Sequence, residues 1–280
     1  MSIVVNYHAT APTQYIDVDG IRYAYRVLGE PSAIPLICFQ HFTGTLDNWD
    51  PIITNGLAAN RQVIIFDNKG VGNSTGTTPD SVAAMTADAI EFIAALGIKK
   101  FDILGFSLGG FIAQYMAHIR PDLIRKIIIV GAAPQGVKVL HTFPELIAKA
   151  MQLTPPERFL FIFFTASEAS RSKGRATLGR LYERQADRDE ETVLPAVQAQ
   201  MTAITNWGKA PADIELSKIT HPVMIIQGSN DEMMDSHTSY ELFQQLPDAV
   251  LSFYPDAAHG SFYQYPELFV NQAEYFLSQY

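Results

Sequence analysis

Ser107, Asp231 and His259 are residue types that can carry out acyl-transfer chemistry together, and they stand at three separated points of the chain. Ser107 lies between Gly105 and Gly109 in the run Phe-Asp-Ile-Leu-Gly-Phe-Ser-Leu-Gly-Gly-Phe-Ile-Ala at 101–113. An apolar, β-prone run (Phe101 to Phe106) meets a helix-prone run (Leu108 to Met116) with almost no connecting loop. A side chain at such a junction is thrown out of the sheet on a strained backbone. Its neighbours must be nearly free of side chain, because strand and helix approach closely there. The amide of Leu108 falls at a helix N-terminus, where unpaired N–H groups can meet negative charge. A serine so presented is a candidate nucleophile.

A serine hydroxyl is a poor nucleophile without a base, and the base needs an orienting acid. In an open sheet covered by helices, ligands gather outside the C-terminal ends of the strands. Asp231 follows the strand-like run Val223 to Gln227 and the turn Gly228-Ser229-Asn230. His259 follows Leu251 to Tyr254 and a short Pro-Asp-Ala-Ala loop. The order Ser, Asp, His suits this geometry. Asp256 and Glu232 are the competing acids. The segment Gly131 to Val137, where another arrangement would put an acid, has no carboxylate, and this favours Asp231.

The elements that must position these groups alternate along the chain. Asp19-Gly20 between two alternating runs signals a two-residue hairpin. Buried strands are expected at Pro35–Gln40, Gln62–Asp67, Phe101–Phe106, Lys126–Val130, Pro222–Gln227 and Val250–Tyr254. Helices are expected at Ser81–Leu96, after Ser107, at Ser236–Leu246 and at Pro266–Gln279. Continuous Ile/Val runs separated by helices predict a mostly parallel sheet covered on both faces. Between Gly131 and Thr220 no strand pattern occurs. Several helical runs are punctuated there by Pro144, Pro155-Pro156, Gly174 and Pro195. So long a structureless loop is implausible in one domain. The reading is a core of 1–131 and 221–280 with an inserted helical cap, 132–220.

The 280 residues are 48% hydrophobic and 18% charged, with a net charge of −9 spread without acidic runs. That composition suits one globular α/β domain with an insertion, and it argues against nucleic acid and anionic membranes as partners. The single cysteine, Cys38, sits in an apolar run and is expected as a buried thiol. Met1 to Pro12 has no basic or apolar leader pattern, and no segment reaches the roughly 18 apolar residues of a membrane span. A cytoplasmic location and a monomer or homodimer are expected. His8, His118, His141, His221 and His237 show no metal-ligand spacing, and no phosphate-binding glycine loop occurs. No metal or other cofactor is expected.

Taken together, these residues resemble the α/β-hydrolase superfamily over the whole chain, most of all its capped branch with small-molecule substrates. The run Asp67-Asn68-Lys69-Gly70-Val71-Gly72-Asn73-Ser74 is similar to the D-x-x-G-x-G-x-S turn of that branch. Where the family commonly carries H-G-x after its third strand, this chain has Gln40-His41-Phe42, with Trp49 following. The resemblance implies that the amides of Phe42 and Leu108 form an oxyanion hole. Gln40 and His41 depart from the usual His and Gly, so His41 either lines the pocket or packs the loop.

The resemblance also implies a serine hydrolase of carboxylic esters or lactones, N-acyl homoserine lactones among the candidates. A cofactor-free perhydrolase with the same triad, or a sensor that turns over slowly or not at all, stays open. The run Arg158-Phe-Leu-Phe-Ile-Phe-Phe164 is dense in aromatics. It either packs the cap on the core or, through Phe161 and Phe164, lines an apolar cleft. Met233 beside the acid could add pocket wall or fill the core.

Overall fold

The Asp19-Gly20 turn is tight because both residues take positive φ, 48° and 81°. That is the backbone a two-residue hairpin needs to match strand twist. It joins β1 (Gln14–Val18) to β2 (Ile21–Leu28), with Val18 opposite Ile21. The computed structural model describes residues 6–209 and 211–279. Residues 1–5 of the N-terminal stretch read as leader-free, Ala210 of the predicted cap and Tyr280 at the end of the predicted core lie outside the described residues.

After a short helix α1 (Tyr7–Thr10) and the hairpin come β3 (Leu36–Phe39), α2 (Pro51–Ala58), β4 (Val63–Phe66) and α3 (Val82–Ala95). Next are β5 (Phe101–Phe106), α4 (Leu108–Ile119) and β6 (Ile124–Val130). Among the described residues four helices follow without a strand: α5 (Phe143–Ala150), α6 (Pro155–Phe163), α7 (Glu168–Leu181) and α8 (Leu194–Trp207). The chain closes with β7 (Val223–Gly228), α9 (Ser236–Gln245), β8 (Ala249–Tyr254), α10 (Ser261–Gln264) and α11 (Pro266–Gln279).

Among the described residues eight strands form one sheet in the order β1-β2-β4-β3-β5-β6-β7-β8. β3 to β8 run parallel, and the hairpin joins antiparallel through β2 and β4. Successive side chains on a strand point to opposite faces, and the core divides accordingly. Ile37, Ile103, Ile127, Ile129 and Ile225 enter one apolar layer with Phe92 and Phe111. Cys38, Leu104, Ile128, Val130 and Ile226 enter the other with Leu57 and Phe269. Because both faces are covered, the central strands read as unbroken apolar runs. Cys38 is fully buried, and burial pushes its thiol up.

The α5–α8 segment is tied to the sheet-bearing part by buried polar contacts. Arg180 of α7 pairs with Asp50, the residue capping α2, at 2.6 Å. Arg26 on β2 pairs with Asp47 at 2.7 Å, and Asp47 also accepts from the Asp189 amide at 2.8 Å. Asp189 gives a stability prediction. Its burial, and then the charge of Asp47, raise its carboxyl from the ordinary 3.8 to about 6. The neighbouring Asp67 is raised by burial and by Asp189 itself.

A carboxyl with a raised pKa in the folded state costs no stability below about pH 4, where folded and unfolded chains both hold the proton. The cost grows between about pH 4 and 6 and is complete above that window, at an upper bound of about 3 kcal/mol. Asp189→Asn should therefore raise the thermal midpoint at pH 8 and leave it nearly unchanged at pH 4. Equal shifts at both values, read by calorimetry, would contradict the assignment.

Candidate active site

Ser107 ends the strand-to-helix junction with φ 53° and ψ −114°. This is a left-handed conformation that costs a non-glycine residue on the order of 1–3 kcal/mol. The surroundings hold it there. The Ser107 amide donates to the Val130 carbonyl at 2.9 Å, continuing the pairing with β6, and its carbonyl accepts from Gly110 at 2.8 Å. A Cβ at Gly105 would strike the Gly109 backbone, one at Gly109 the Phe39 backbone, and one at Gly110 the Ala132 side chain. The three glycines are what let β3, β5 and α4 meet at the serine.

The loops after β7 and β8 are knitted together by Ser229 N–H to the Tyr254 carbonyl (3.0 Å) and Asn230 N–H to the Ala257 carbonyl (2.9 Å). This brings Asp231 and His259 into contact, Nδ1 to Oδ2 at 2.8 Å, with both side chains buried. The other carboxylate oxygen of Asp231 accepts from the amides of Met233 and Met234 at 2.9 and 3.0 Å. Gln227 Nε2 donates to Oδ2 at 3.1 Å. Four donors thus fix the carboxylate. With Nδ1–H donating to the Asp231 carboxylate, the lone pair of the ring is left on Nε2.

The His259 ring lies over the ends of β5 and β6. It packs on the Phe106 ring at 5.1 Å between centroids, and a Cβ on Gly131 would come within 3.2 Å of it. Among the described residues, neither Ser107 Oγ nor His259 Nε2 hydrogen-bonds to any group. Such contacts are commonly long before substrate binds.

Asp256, the competing acid, is elsewhere. It is exposed and accepts from the hydroxyls of Thr165 and Ser167 at 2.7 and 2.5 Å, which hold its carboxyl below the usual range. Glu232 lines a neighbouring cavity instead of meeting His259.

The loop leaving β3 starts beside the serine strand, with Phe39 opposite Gly105. Gln40 Oε1 takes the His41 amide at 2.9 Å, and the His41 carbonyl takes the Gly44 amide at 3.0 Å. Gln200 Oε1 takes the Thr43 amide at 2.6 Å. Among the described residues the amides of Phe42 and Leu108 have no acceptor. Two backbone donors are therefore left free among the described residues, one on the loop after β3 and one next to Ser107 at the start of α4.

His41 donates Nδ1–H to the Phe42 carbonyl at 2.7 Å. Burial, against that bond and with the nearby His259, lowers its pKa from 6.5 to about 4. Its ring packs on Phe106 and Phe163, each at 5.2 Å.

A cavity of about 300 Å³ lies between α5, α6 and the loop after β7, lined by Phe161, Phe164 and Met233 together with Leu146, Arg171 and Glu232. Ala258 also borders it, one residue from His259, but Ser107, His41 and His259 do not. Sequence reasoning missed Phe163, which stacks on His259 with ring planes 14° apart at 6.0 Å. Its carbonyl accepts the Gly260 amide at 2.9 Å. Four phenylalanines in one helical run signalled such a contact without saying which ring makes it.

Residues 34–266 match the family model for the alpha/beta hydrolase fold. The chain belongs to the α/β-hydrolase family and is a hydrolase. An alpha/beta hydrolase fold protein from Chitinophaga pinensis is 77% identical, with a TM-score of 0.97 over 98% of this chain and all of that one. A protein from Rhizobium rhizogenes with the provisional name carbamate hydrolase RutD is 26% identical over 89% of this chain and 95% of its own. The structure of Est816, described as an N-acyl homoserine lactone degrading enzyme, superposes with a TM-score of 0.73 at 21% identity, covering 93% and 99% of the two chains. No described helix is long and apolar enough to cross a membrane.

Proposed function

We propose that this hydrolase cleaves a carboxylic ester or lactone with an apolar acyl group, through an acyl-enzyme on Ser107. The observation that carries the reading is a histidine whose Nδ1 is held by Asp231 at 2.8 Å and whose ring packs on Phe106, the residue before the strained serine. His259 Nε2 takes the hydroxyl proton as Ser107 Oγ attacks the carbonyl carbon. The amides of Phe42 and Leu108 hold the oxyanion, each worth roughly 2.7–4 kcal/mol of barrier. His259 returns the proton to the leaving alkoxide, and Asp231 stabilises the imidazolium in between. A water deprotonated by His259 then attacks the acyl-enzyme, and collapse of the second tetrahedral intermediate frees the acid and restores Ser107. Side chains, amides and water supply every step, so the cycle requires no cofactor. The α5–α8 segment acts as the cap, covering the triad through Phe163.

The cavity lined by Phe161, Phe164 and Met233 reaches Ala258, one residue from His259, and in this reading takes the far end of the acyl chain, with Arg171 and Glu232 as polar groups along it. Burial of each methylene is worth up to about 0.8 kcal/mol, or roughly fourfold in rate. Across p-nitrophenyl esters from acetate to octanoate, kcat/KM should therefore climb until the cavity is full, and Phe161→Ala should flatten the climb. A kcat/KM highest for acetate and falling steadily with length would replace the apolar wall with a small acyl site. A carbamate and an acyl homoserine lactone in the same series test the leaving group.

A further inference from the structure

The loop that carries the Phe42 amide is held from outside by the helical segment. Thr43 has φ 62°, a left-handed conformation strained for a β-branched residue. Both of its backbone groups are gripped by side chains far along the sequence. Gln200 Oε1 on α8 accepts its N–H at 2.6 Å, and Thr192 Oγ1 donates to its carbonyl at 2.8 Å. The preceding carbonyl, that of Phe42, is occupied by His41 Nδ1. The Phe42–Thr43 peptide is thus pinned at its oxygen by the loop and at its nitrogen by α8. Gln200 is fully buried, and its Nε2 has no partner among the described residues. Its single polar contact there is the one to Thr43.

We infer that Gln200, seconded by Thr192, is a positioning residue that holds the Thr43 backbone so that the neighbouring Phe42 amide aims at the oxyanion. The inference rests on the reading of Phe42 as an oxyanion donor. Without the acceptor, Thr43 relaxes toward negative φ and the adjacent amide loses its aim. Docking of α8 and assembly of the oxyanion hole are then one event.

The test compares Gln200→Met, Gln200→Glu and Thr192→Val with the parent protein on p-nitrophenyl butyrate. Labelling of Ser107 by a fluorophosphonate probe and thermal unfolding are read in parallel. Gln200→Met should lower kcat by about 10- to 100-fold with KM changed less than about threefold, and should slow labelling in proportion. Its unfolding midpoint should hold, because the substitution also removes the unpaired Nε2. Gln200→Glu keeps an acceptor and should recover part of the rate lost in Gln200→Met, with the lower unfolding midpoint that a buried carboxylate brings. Thr192→Val should cost a few-fold in kcat.

Unchanged kcat in Gln200→Met overturns the inference. So does a loss in Gln200→Met that follows a fall in its own unfolding midpoint, because that would mark a structural role. If Gln200→Met does not fold, Thr192→Val decides, and full kcat there overturns the inference. If the parent protein neither hydrolyses esters nor takes the probe, the underlying reading fails, and the positioning role falls with it.

Discussion

Replacing Ser107 by alanine should lower kcat on a p-nitrophenyl ester by about 10⁴- to 10⁶-fold while the far-ultraviolet circular dichroism and unfolding midpoint stay within a few degrees of the parent. Alanine keeps the Cβ, so the cost of the φ 53° backbone is the same before and after. The lost hydroxyl makes no hydrogen bond among the described residues, so its removal leaves no partner unsatisfied. His259→Ala should be comparably severe, and the double variant little worse than either, because in the proposed cycle nucleophile and base act in one step. A Ser107→Ala protein retaining more than a tenth of the rate would move the nucleophile elsewhere.

Asp231→Asn should cost about 10⁴-fold in kcat, and Asp256→Asn less than about threefold. The difference follows from what each carboxylate touches. Asp231 Oδ1 accepts two backbone amides, of Met233 and Met234. An asparagine would keep its own oxygen there and turn its NH₂ toward His259 Nδ1. Two donors cannot face each other, so the imidazole would move its proton to Nε2 or rotate away, and either change removes the base. Among the described residues Asp256 accepts from two hydroxyls before and at the start of α7, Thr165 and Ser167, and an amide oxygen can replace the carboxylate there in part. Steady-state kinetics at one pH distinguishes the two. A crippled Asp256→Asn with an active Asp231→Asn would reverse the assignment.

How much of this was legible before folding depends on the distance over which each feature is encoded. The serine turn is written in consecutive residues, because three glycines and the change from strand to helix must be adjacent to work. That Asp231 and His259 could meet was readable because each lies a few residues beyond a strand end, and a parallel sheet lines those ends up. The hairpin, the central strands and the strandless stretch before β7 were readable from period and punctuation.

The grip of Gln200 and Thr192 on Thr43 spans about 150 residues of sequence. Nothing in a polar residue on a mixed helix face announces a partner at that range. The same holds for Phe163. Period alone gives α6 an aromatic face, and only docking decides that Phe163 meets His259 while Phe161 and Phe164 turn to the cavity. The short α1 and the Asp67–Asp189 proximity were missed as well. A four-residue helix has no period to read, and two acids far apart in the sequence give no sign of burial together.

The central claim is a covalent acyl group on Ser107, and rapid acid quenching of the protein during turnover of p-nitrophenyl butyrate tests it most directly. Intact-mass spectrometry should show a fraction of the chain heavier by one butyryl group, about 70 Da, and peptide mapping should place it on Ser107 within 101–113. The adduct should be absent in Ser107→Ala. Turnover at full rate with the acyl group on another residue, or with the rate and its products unaffected by Ser107→Ala, would contradict the account.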